Sequence, residues 1–325
     1  MTSDNGLDCP TPIFRAVSGS TRQLFQLLNC IRFATKVHIQ ISSEGLRFAV
    51  EESRVMQGIV FLDRALFTSY SYFHPECESI SEVPEQTYEL PNFQISLPAL
   101  LETLQMFGVA DLSPSRFPKS DNDYKSNIRP GRPNAFSNQS LGMPAICRLS
   151  YEKHGSPLNI VIEESNVITT CHLNTYQPEF SDEIPFQRDA ILIKIIMQAR
   201  WLFDAISELS SASPTQLEIK ALPASPYLSF SATGDIGSAS VEFSNGRDLL
   251  ETYVVSDYWS QSYNFEMIKS ATEAMKLASK VSIRGDEQGV LSLQFMVEVE
   301  GSGISYIDFR FIPLISDEDL DGENN

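Results

Sequence analysis

The side chains able to ligate a metal or drive hydrolysis are scattered along this chain. Cysteines stand at Cys9, Cys30, Cys77, Cys147 and Cys171, odd in number, widely spaced and with no Cys-x-x-Cys pair, the pattern of reduced thiols. The histidines His38, His74, His154 and His172 are equally dispersed, and Cys171 and His172, adjacent on a predicted strand, point to opposite faces. With no ligand spacing of the usual kinds, neither a metal site nor another cofactor is expected. Two-metal hydrolysis needs several carboxylates converging on rigid elements. The dense acidic groups, Asp121 with Asp123, Asp182 with Glu183, and Asp317 to Asp319, all fall in segments that read as loops or tail. What remains is binding chemistry, set by the elements that carry the charged and polar side chains.

Those elements begin with Ser18 to Leu62. Leu24, Phe25, Leu27, Leu28 and Ile31 fall on one side of a helix at about 100° per residue, with Arg22, Gln26 and Asn29 on the other. The period drops to two in Val37 to Ile41, turns at Ser42 to Gly45 and resumes in Leu46 to Val50, predicting a hairpin and then a strand over Val55 to Leu62. Short strands are expected at Ile13 to Val17 and Ala65 to Phe73, with a loop from His74 to Glu85. A strand over Thr87 to Ile95 leads into a second helix, Leu97 to Phe107. Ser96 is its N-cap, Pro98 lies in its first turn, Gly108 closes it, and Leu100, Leu101, Leu104 and Phe107 form its apolar stripe. From Asp111 to Pro144 the sequence turns to Ser, Pro, Asn and Gly and reads as a disordered insertion, its Arg116, Lys119, Lys125, Arg129 and Arg132 offset in part by Asp121 and Asp123. Strands resume at Ala145 to Tyr151, Leu158 to Glu163 and Val167 to Leu173, before a polar, acidic linker.

The plan then repeats. A strand, Ala190 to Met197, precedes a third helix, Ala199 to Leu209, and strands follow at Gln216 to Leu222, Leu228 to Thr233, Ser238 to Ser244 and Leu249 to Val255. A fourth helix starts near Asn264 and ends near Met275, because Leu277 to Arg284 alternates with period two and predicts a strand. A turn at Gly285 to Gly289 joins strands Val290 to Val299 and Ile304 to Ile312. The fold class is α+β: two similar domains, 13–174 and 189–314, each with two helices packed on antiparallel sheets. A disordered leader (1–12), a linker (175–188) and an acidic disordered tail (315–325) complete the chain.

Across its 325 residues the chain carries 24 Lys plus Arg against 42 Asp plus Glu, and a net charge of -18 argues against nonspecific coating of nucleic acid by the outer surface. The helices are the exception. Arg22 and Arg32 on the first, Glu102 on the second, Arg200, Asp204 and Glu208 on the third, and Glu266, Lys269, Glu273 and Lys276 on the fourth cancel, so the helical face is spared the acidity of the rest. No apolar run reaches the length of a membrane span, and Met1 to Asp8 lacks the layout of a secretory signal, so an intracellular protein with no membrane partner is expected.

The run from Ser18-Gly19-Ser20-Thr21-Arg22-Gln23-Leu24-Phe25, with Glu44-Gly45-Leu46-Arg47-Phe48 and Val50-Glu51-Glu52-Ser53-Arg54-Val55-Met56-Gln57, resembles the checkpoint sliding-clamp subunit of the Rad-one type. Lys280-Val281-Ser282-Ile283-Arg284, Leu291-Ser292-Leu293-Gln294 and Cys171-His172-Leu173-Asn174-Thr175 extend the resemblance, which covers about Ile13 to Pro313 apart from the insertion. It implies the DNA sliding clamp fold of proliferating cell nuclear antigen, with helices lining a hole and sheets outside. It also implies a non-catalytic, nuclear subunit of a heterotrimeric ring completed by Rad-nine and Hus-one type subunits. A clamp loader places that ring on double-stranded DNA at damage sites, where it serves checkpoint and repair factors.

On this resemblance Arg22, Gln26, Asn29, Arg200 and Lys269 are the expected DNA-facing residues, although Glu102, Gln105, Asp204 and Glu208 stand where homotrimeric clamps tend to place basic side chains. A partner-peptide groove is implied along Val50, Val55, Gln57, Phe311, Ile312 and Pro313. Subunit-interface strands are implied at Val167, Thr169, Cys171 and Leu173 and at Ser238, Ser240 and Glu242. Two other readings stand beside this one: a metal-dependent 3'-5' exonuclease, an activity attributed to members of the family, and a homotrimeric replication clamp.

Overall fold

Ser20 starts the first helix by accepting a hydrogen bond from the Gln23 amide at 3.3 Å, and Ser96 starts the second by accepting one from Ala99 at 3.4 Å. The chain path is repeated. The cap at Ser96 recurs at Asn264, which accepts from the Met267 amide at 3.3 Å, whereas Gln198, at the match of Ser20, makes no side-chain cap. A computed structural model describes residues 12–73, 90–106, 145–164, 166–178, 183–235, 237–246, 248–299 and 303–315. The first copy runs β1 (Phe14–Ser18), α1 (Thr21–Asn29), β2 (Lys36–Ile41), β3 (Gly45–Glu52), β4 (Met56–Asp63), β5 (Ser69–Tyr72), β6 (Asn92–Ser96), α2 (Leu97–Gln105), β7 (Ile146–Tyr151), β8 (Leu158–Glu164) and β9 (Val167–Leu173). The second runs β10 (Ile191–Gln198), α3 (Ala199–Leu209), β11 (Pro214–Ala221), β12 (Leu228–Gly234), β13 (Gly237–Phe243), β14 (Leu250–Val255), β15 (Trp259–Asn264), α4 (Phe265–Lys269), α5 (Thr272–Leu277), β16 (Lys280–Asp286), β17 (Leu291–Val299) and β18 (Gly303–Phe311).

Pairing makes the repeat explicit. The first copy orders its strands β5-β1-β7-β8-β9 and β4-β3-β2-β6; the second orders them β14-β10-β16-β17-β18 and β13-β12-β11-β15. The two orders coincide strand for strand, with β10 in the place of β1 and β18 in the place of β9. All the pairings are antiparallel. The copies are joined because β18 pairs with β4, Phe311 opposite Met56 and Ile307 opposite Val60, making one nine-stranded sheet. Their counterparts, β9 and β13, are edge strands.

The chain leaves both copies in the same way. Three residues beyond β9, Tyr176 exchanges backbone hydrogen bonds with Gln94 of β6 at 2.8 and 2.9 Å; three residues beyond β18, the Leu314 amide donates to Ser262 of β15 at 2.7 Å. Strand residues of alternate parity build the core. Val37, Ile39 and Ile41 of β2 are buried with Leu24 and Leu28 of α1, while His38 and Gln40 face the other side of the sheet. α1 packs on α2, α3 on α5 and α1 on α5, so α2, α1, α5 and α3 form a row. At the junction of the copies Phe33 meets Phe309, ring centroids 6.2 Å apart, over Gly58, where a Cβ would lie 2.9 Å from the Phe33 ring.

Several elements differ from the sequence-based expectation. The fourth helix is broken at Ser270 and Ala271 into α4 and α5, so the second copy holds three helices, and it runs through Leu277 before β16 starts at Lys280. Arg32 lies in the turn after α1 rather than on it, which leaves the helices slightly acidic. β16 extends through Asp286, into the expected turn, and Ala65 lies in a 3-10 turn, Arg64–Leu66, before β5. β15 was not expected at all: nothing was assigned between Val255 and Asn264, yet Trp259 and Tyr263 are buried on one side of a strand there. Phe107, Gly108, the insertion, and the leader and tail apart from Pro12 and Ile315 lie outside the described residues.

Candidate functional site

The row of helices carries little free positive charge. Arg200 is paired with Asp204 at 3.6 Å, Lys269 with Glu266 at 3.1 Å and Lys276 with Glu273 at 2.9 Å, each within its own helix. Exposed pairs of this kind contribute little to stability, but they offset the field a phosphate would meet. Among the described residues Arg22 and Arg32 have no acidic partner, and Arg22 is exposed on α1. Gln26 and Asn29 are half-buried. Arg22 and Gln26 line a cleft of about 290 Å³ with Leu277 and Glu298, and Gln26 and Asn29 line another of about 300 Å³ with Glu273 and Lys276. The first helix thus gathers Arg22, Gln26 and Asn29 on one side, whereas Arg200 and Lys269 stand on other helices with acids beside them.

The opposite face of the nine-stranded sheet holds the segment that links the copies. Arg47 Nη2 meets Glu183 Oε1 at 2.7 Å, and Arg310 Nη1 meets Glu183 Oε2 at 3.3 Å while donating to the Ile184 carbonyl at 2.7 Å. Arg310 Nε also reaches Asp308 at 3.2 Å, and Asp308 accepts from Ser292 at 2.7 Å and from Arg284 at 3.4 Å. Phe186 covers the Arg284 guanidinium at 5.3 Å. The Ile184 amide donates to Gln57 at 3.3 Å, and the Gln187 amide to Asp286 at 3.0 Å. Sequence reasoning missed this network; the only signal was Arg and Asp alternating with the core residues of β16 and β18.

Asp286 is fully buried and also accepts from Gln288 and Val290 at 3.0 and 2.9 Å. Asp286→Ala strands these donors, and a loss of about 2–4 kcal/mol in unfolding free energy is expected by urea denaturation.

The expected groove residues do lie together, in differing environments. The Ile312 amide donates to the Val55 carbonyl at 2.9 Å, and Gln57 is opposite Arg310 in the β4–β18 ladder. Val50, Gln57 and Phe311 are buried, whereas Ile312 is exposed and Val55 and Pro313 half-exposed. Beside them opens a cleft of about 780 Å³ lined by Lys36, His38, Glu51, Arg54, Gln57 and Gln94, among others. Burial, then the nearby Arg47, holds the His38 pKa below the ordinary histidine value, against smaller opposing effects of Asn92 and Glu183. A lowered native pKa means that the unfolded chain takes up the proton first. The His38 contribution should therefore be complete above about pH 6.5 and be lost as pH falls through that value toward the native pKa. Denaturant midpoints at pH 8 and pH 5.5 should converge in His38→Gln relative to the parent chain.

The expected interface residues Val167, Thr169, Cys171 and Leu173 occupy the β9 edge, and Ser238, Ser240 and Glu242 the β13 edge. Val167 and Ile168 are among the exposed apolar side chains. Burial pushes the Cys30 and Cys147 thiols up to about 12, which leaves them unreactive at neutral pH. Of the acidic groups, Glu183 is engaged by Arg47 and Arg310, and Asp121, Asp123, Asp182 and Asp317 to Asp319 lie outside the described residues. Among the described residues no three His, Cys, Asp or Glu side chains are grouped to hold a metal ion.

A family model described as "Repair protein Rad1/Rec1/Rad17" matches residues 13–297, spanning both copies of the repeat. The chain belongs to the Rad1/Rec1/Rad17 family. Its relatives include "DNA damage checkpoint control protein rad1" of Schizosaccharomyces pombe, 29% identical over 305 residues, 93% of this chain and 87% of that protein. "Cell cycle checkpoint protein RAD1" of Homo sapiens is 28% identical over 294 residues, 90% of this chain and 89% of that protein. "DNA repair exonuclease REC1" of Mycosarcoma maydis is 27% identical over 186 residues, 46% of this chain and 39% of that protein. This Rad1/Rec1/Rad17 member is thus a DNA-damage checkpoint and repair homologue, and no helix among its described residues is long and apolar enough to cross a membrane.

Proposed function

We propose that the chain is the Rad-one type, non-catalytic subunit of a heterotrimeric DNA clamp, with two homologous subunits of the Rad-nine and Hus-one types. In this reading a clamp loader closes the ring around double-stranded DNA in the nucleus, where it serves as a platform for checkpoint and repair factors. The observation that carries it is the β18–β4 pairing. The same two positions of the repeat, β9 in the first copy and β13 in the second, are left as edges at the two ends of the chain's sheet system. An edge strand with exposed apolar residues such as Val167 and Ile168 is a liability unless another chain covers it. Joining β9 of one subunit to the counterpart of β13 in the next repeats the internal junction, and a head-to-tail contact of this kind closes into a ring.

The helix row would then line the hole. Holding by topology needs only weak, sequence-blind phosphate contacts. Arg22, with Gln26 and Asn29, is the contribution of this subunit, and the offset cations Arg200 and Lys269 leave most attraction to the partners. The dense acidic groups fall in segments that read from sequence as loops or tail, which supports the non-catalytic reading over an exonuclease. Loaded with its loader on nicked circular DNA, the assembled ring should stay bound until the circle is linearised and then slide off. Dissociation at equal rates from both DNAs would refute encirclement.

A further inference from the structure

The linker follows one row of side chains across the nine-stranded sheet. Lys194, Arg284, Ser292, Arg310 and Gln57 stand opposite one another on the successive strands β10, β16, β17, β18 and β4. Glu183 and Ile184 lie on Arg310, the Ile184 amide reaches Gln57, and Phe186 covers Arg284. The first copy contains the matching row. Arg15, Ser150, Asn159 and His172 stand opposite one another on β1, β7, β8 and β9, and Tyr176 follows His172 at the interval by which Leu314 follows Arg310. Arg15 and His172 are exposed. His172 Nδ1 is 2.6 Å from Asn159 Oδ1, which can only accept, so Nδ1 carries a proton and Nε2 is left for another partner. Arg310 holds Asp308, two residues before it, whereas His172 has Thr170 at that place. Glu163 of β8 is held by Arg148 at 2.9 Å, and Glu152 lies beyond the end of β7. The row thus has two basic side chains and no carboxylate of its own.

We propose that this row docks an acidic, extended segment from the C-terminal end of the subunit that adjoins β9, laid across the subunit junction as the linker is laid across the internal one. This rests on the ring reading above and adds what crosses the join. The first copy sends the linker off at Gln94 of β6, and the second sends its chain off at Ser262 of β15, the same place in the repeat. A homologous neighbour whose second copy abuts β9 therefore delivers its C-terminal segment over its own edge strand to His172, as the linker is delivered over β4 to Arg310. A carboxylate fits there: His172, protonated on both nitrogens, donates through Nε2, and Arg15 supplies a guanidinium at the far end of the row. The segment of this chain beyond Leu314, the counterpart of the linker, has that chemistry in Asp317, Glu318, Asp319, Asp321 and Glu323. A basic segment would meet Arg15 and the His172 ring as like charges. An apolar one would strip water from four polar side chains without replacing their hydrogen bonds.

Full-length chain would be titrated with each of the two full-length partner subunits and with the same subunits cut after their last strand, circular dichroism checking the fold of each protein. For the partner seated on β9, the cut should weaken binding by about five- to ten-fold. His172→Glu should be equally harmful with the intact partner and harmless with the shortened one. His172→Arg, which supplies the guanidinium found at the internal junction, should tighten binding of the intact partner alone. Equal affinities for the intact and shortened partner, or a His172 effect that persists after the cut, would overturn the proposal. A chain that binds neither partner removes the ring reading as well, whereas binding indifferent to the cut removes this dock alone.

Discussion

Replacing Arg310 with alanine should lower the unfolding free energy by about 3–5 kcal/mol, among the larger losses available from a single side chain in this protein. Its guanidinium, 11% exposed, holds Asp308, Glu183 and the Ile184 carbonyl at once. Deleting it leaves the Asp308 carboxylate, 16% exposed, with only Arg284 and Ser292, and frees Glu183 from one of its two cations. The consequence reaches beyond stability, because Glu183 and Ile184 belong to the segment that crosses between the two copies of the repeat. Arg310→Lys should recover only part of the loss, since an ammonium cannot present the planar fork that reaches a carboxylate and a carbonyl together. Urea denaturation of the three proteins checks this, and a loss under about 1 kcal/mol for Arg310→Ala would mean that the linker is held by other contacts.

The second large effect is expected at the β9 edge. Thr169 and Thr170 are consecutive in an edge strand, so their backbone N–H groups point in opposite directions, one into the β8–β9 ladder and one outward. Proline at the outward position leaves the fold intact but removes a donor and places a ring where a neighbouring strand would lie. Association with the partner subunit should weaken by at least about 100-fold. Proline at the inward position should damage the chain itself. Circular dichroism identifies the folded variant, and sedimentation with the partners measures its assembly. A folded proline variant that assembles normally would remove β9 from the interface.

Much of the fold was legible because local pattern and tertiary packing agree. Leu24, Leu27 and Leu28 recur at helical spacing and are buried, and the period-two run Val37 to Ile41 lies in the core on alternate residues. Ser96 and Pro98 mark the start of α2 by chemistry that acts within a few residues. Where pattern failed, longer-range terms decide. Leu277 looks like the beginning of an alternating strand, yet α5 retains it, next to Lys276, which rests on Glu273 and over the Phe203 ring of α3. β15 is polar on one side because only Trp259 and Tyr263 face the interior, with β11 supplying the ladder.

The candidate sites were legible unevenly for the same reason. Arg22, Gln26 and Asn29 share a face because one helix carries them. Arg200 and Lys269 were placed by the resemblance, and a sum of helix charges that included Asp204 and Glu266 did not show that each acid, one turn away, pairs with its cation. The row from Arg15 to His172 and the Arg310 network could not be read from the chain at all. The first depends on strand register and the second on where the linker crosses the sheet, which bring together residues more than a hundred positions apart.

The most direct measurement is the native mass of the complex obtained when this chain is co-expressed with Rad-nine and Hus-one type subunits, compared with the chain alone. A ring with one copy of each, and a chain that forms no ring by itself, is the expected result. A stable homotrimer of this chain, or a monomer that leaves both partners unbound, would contradict the ring built through β9 and β13.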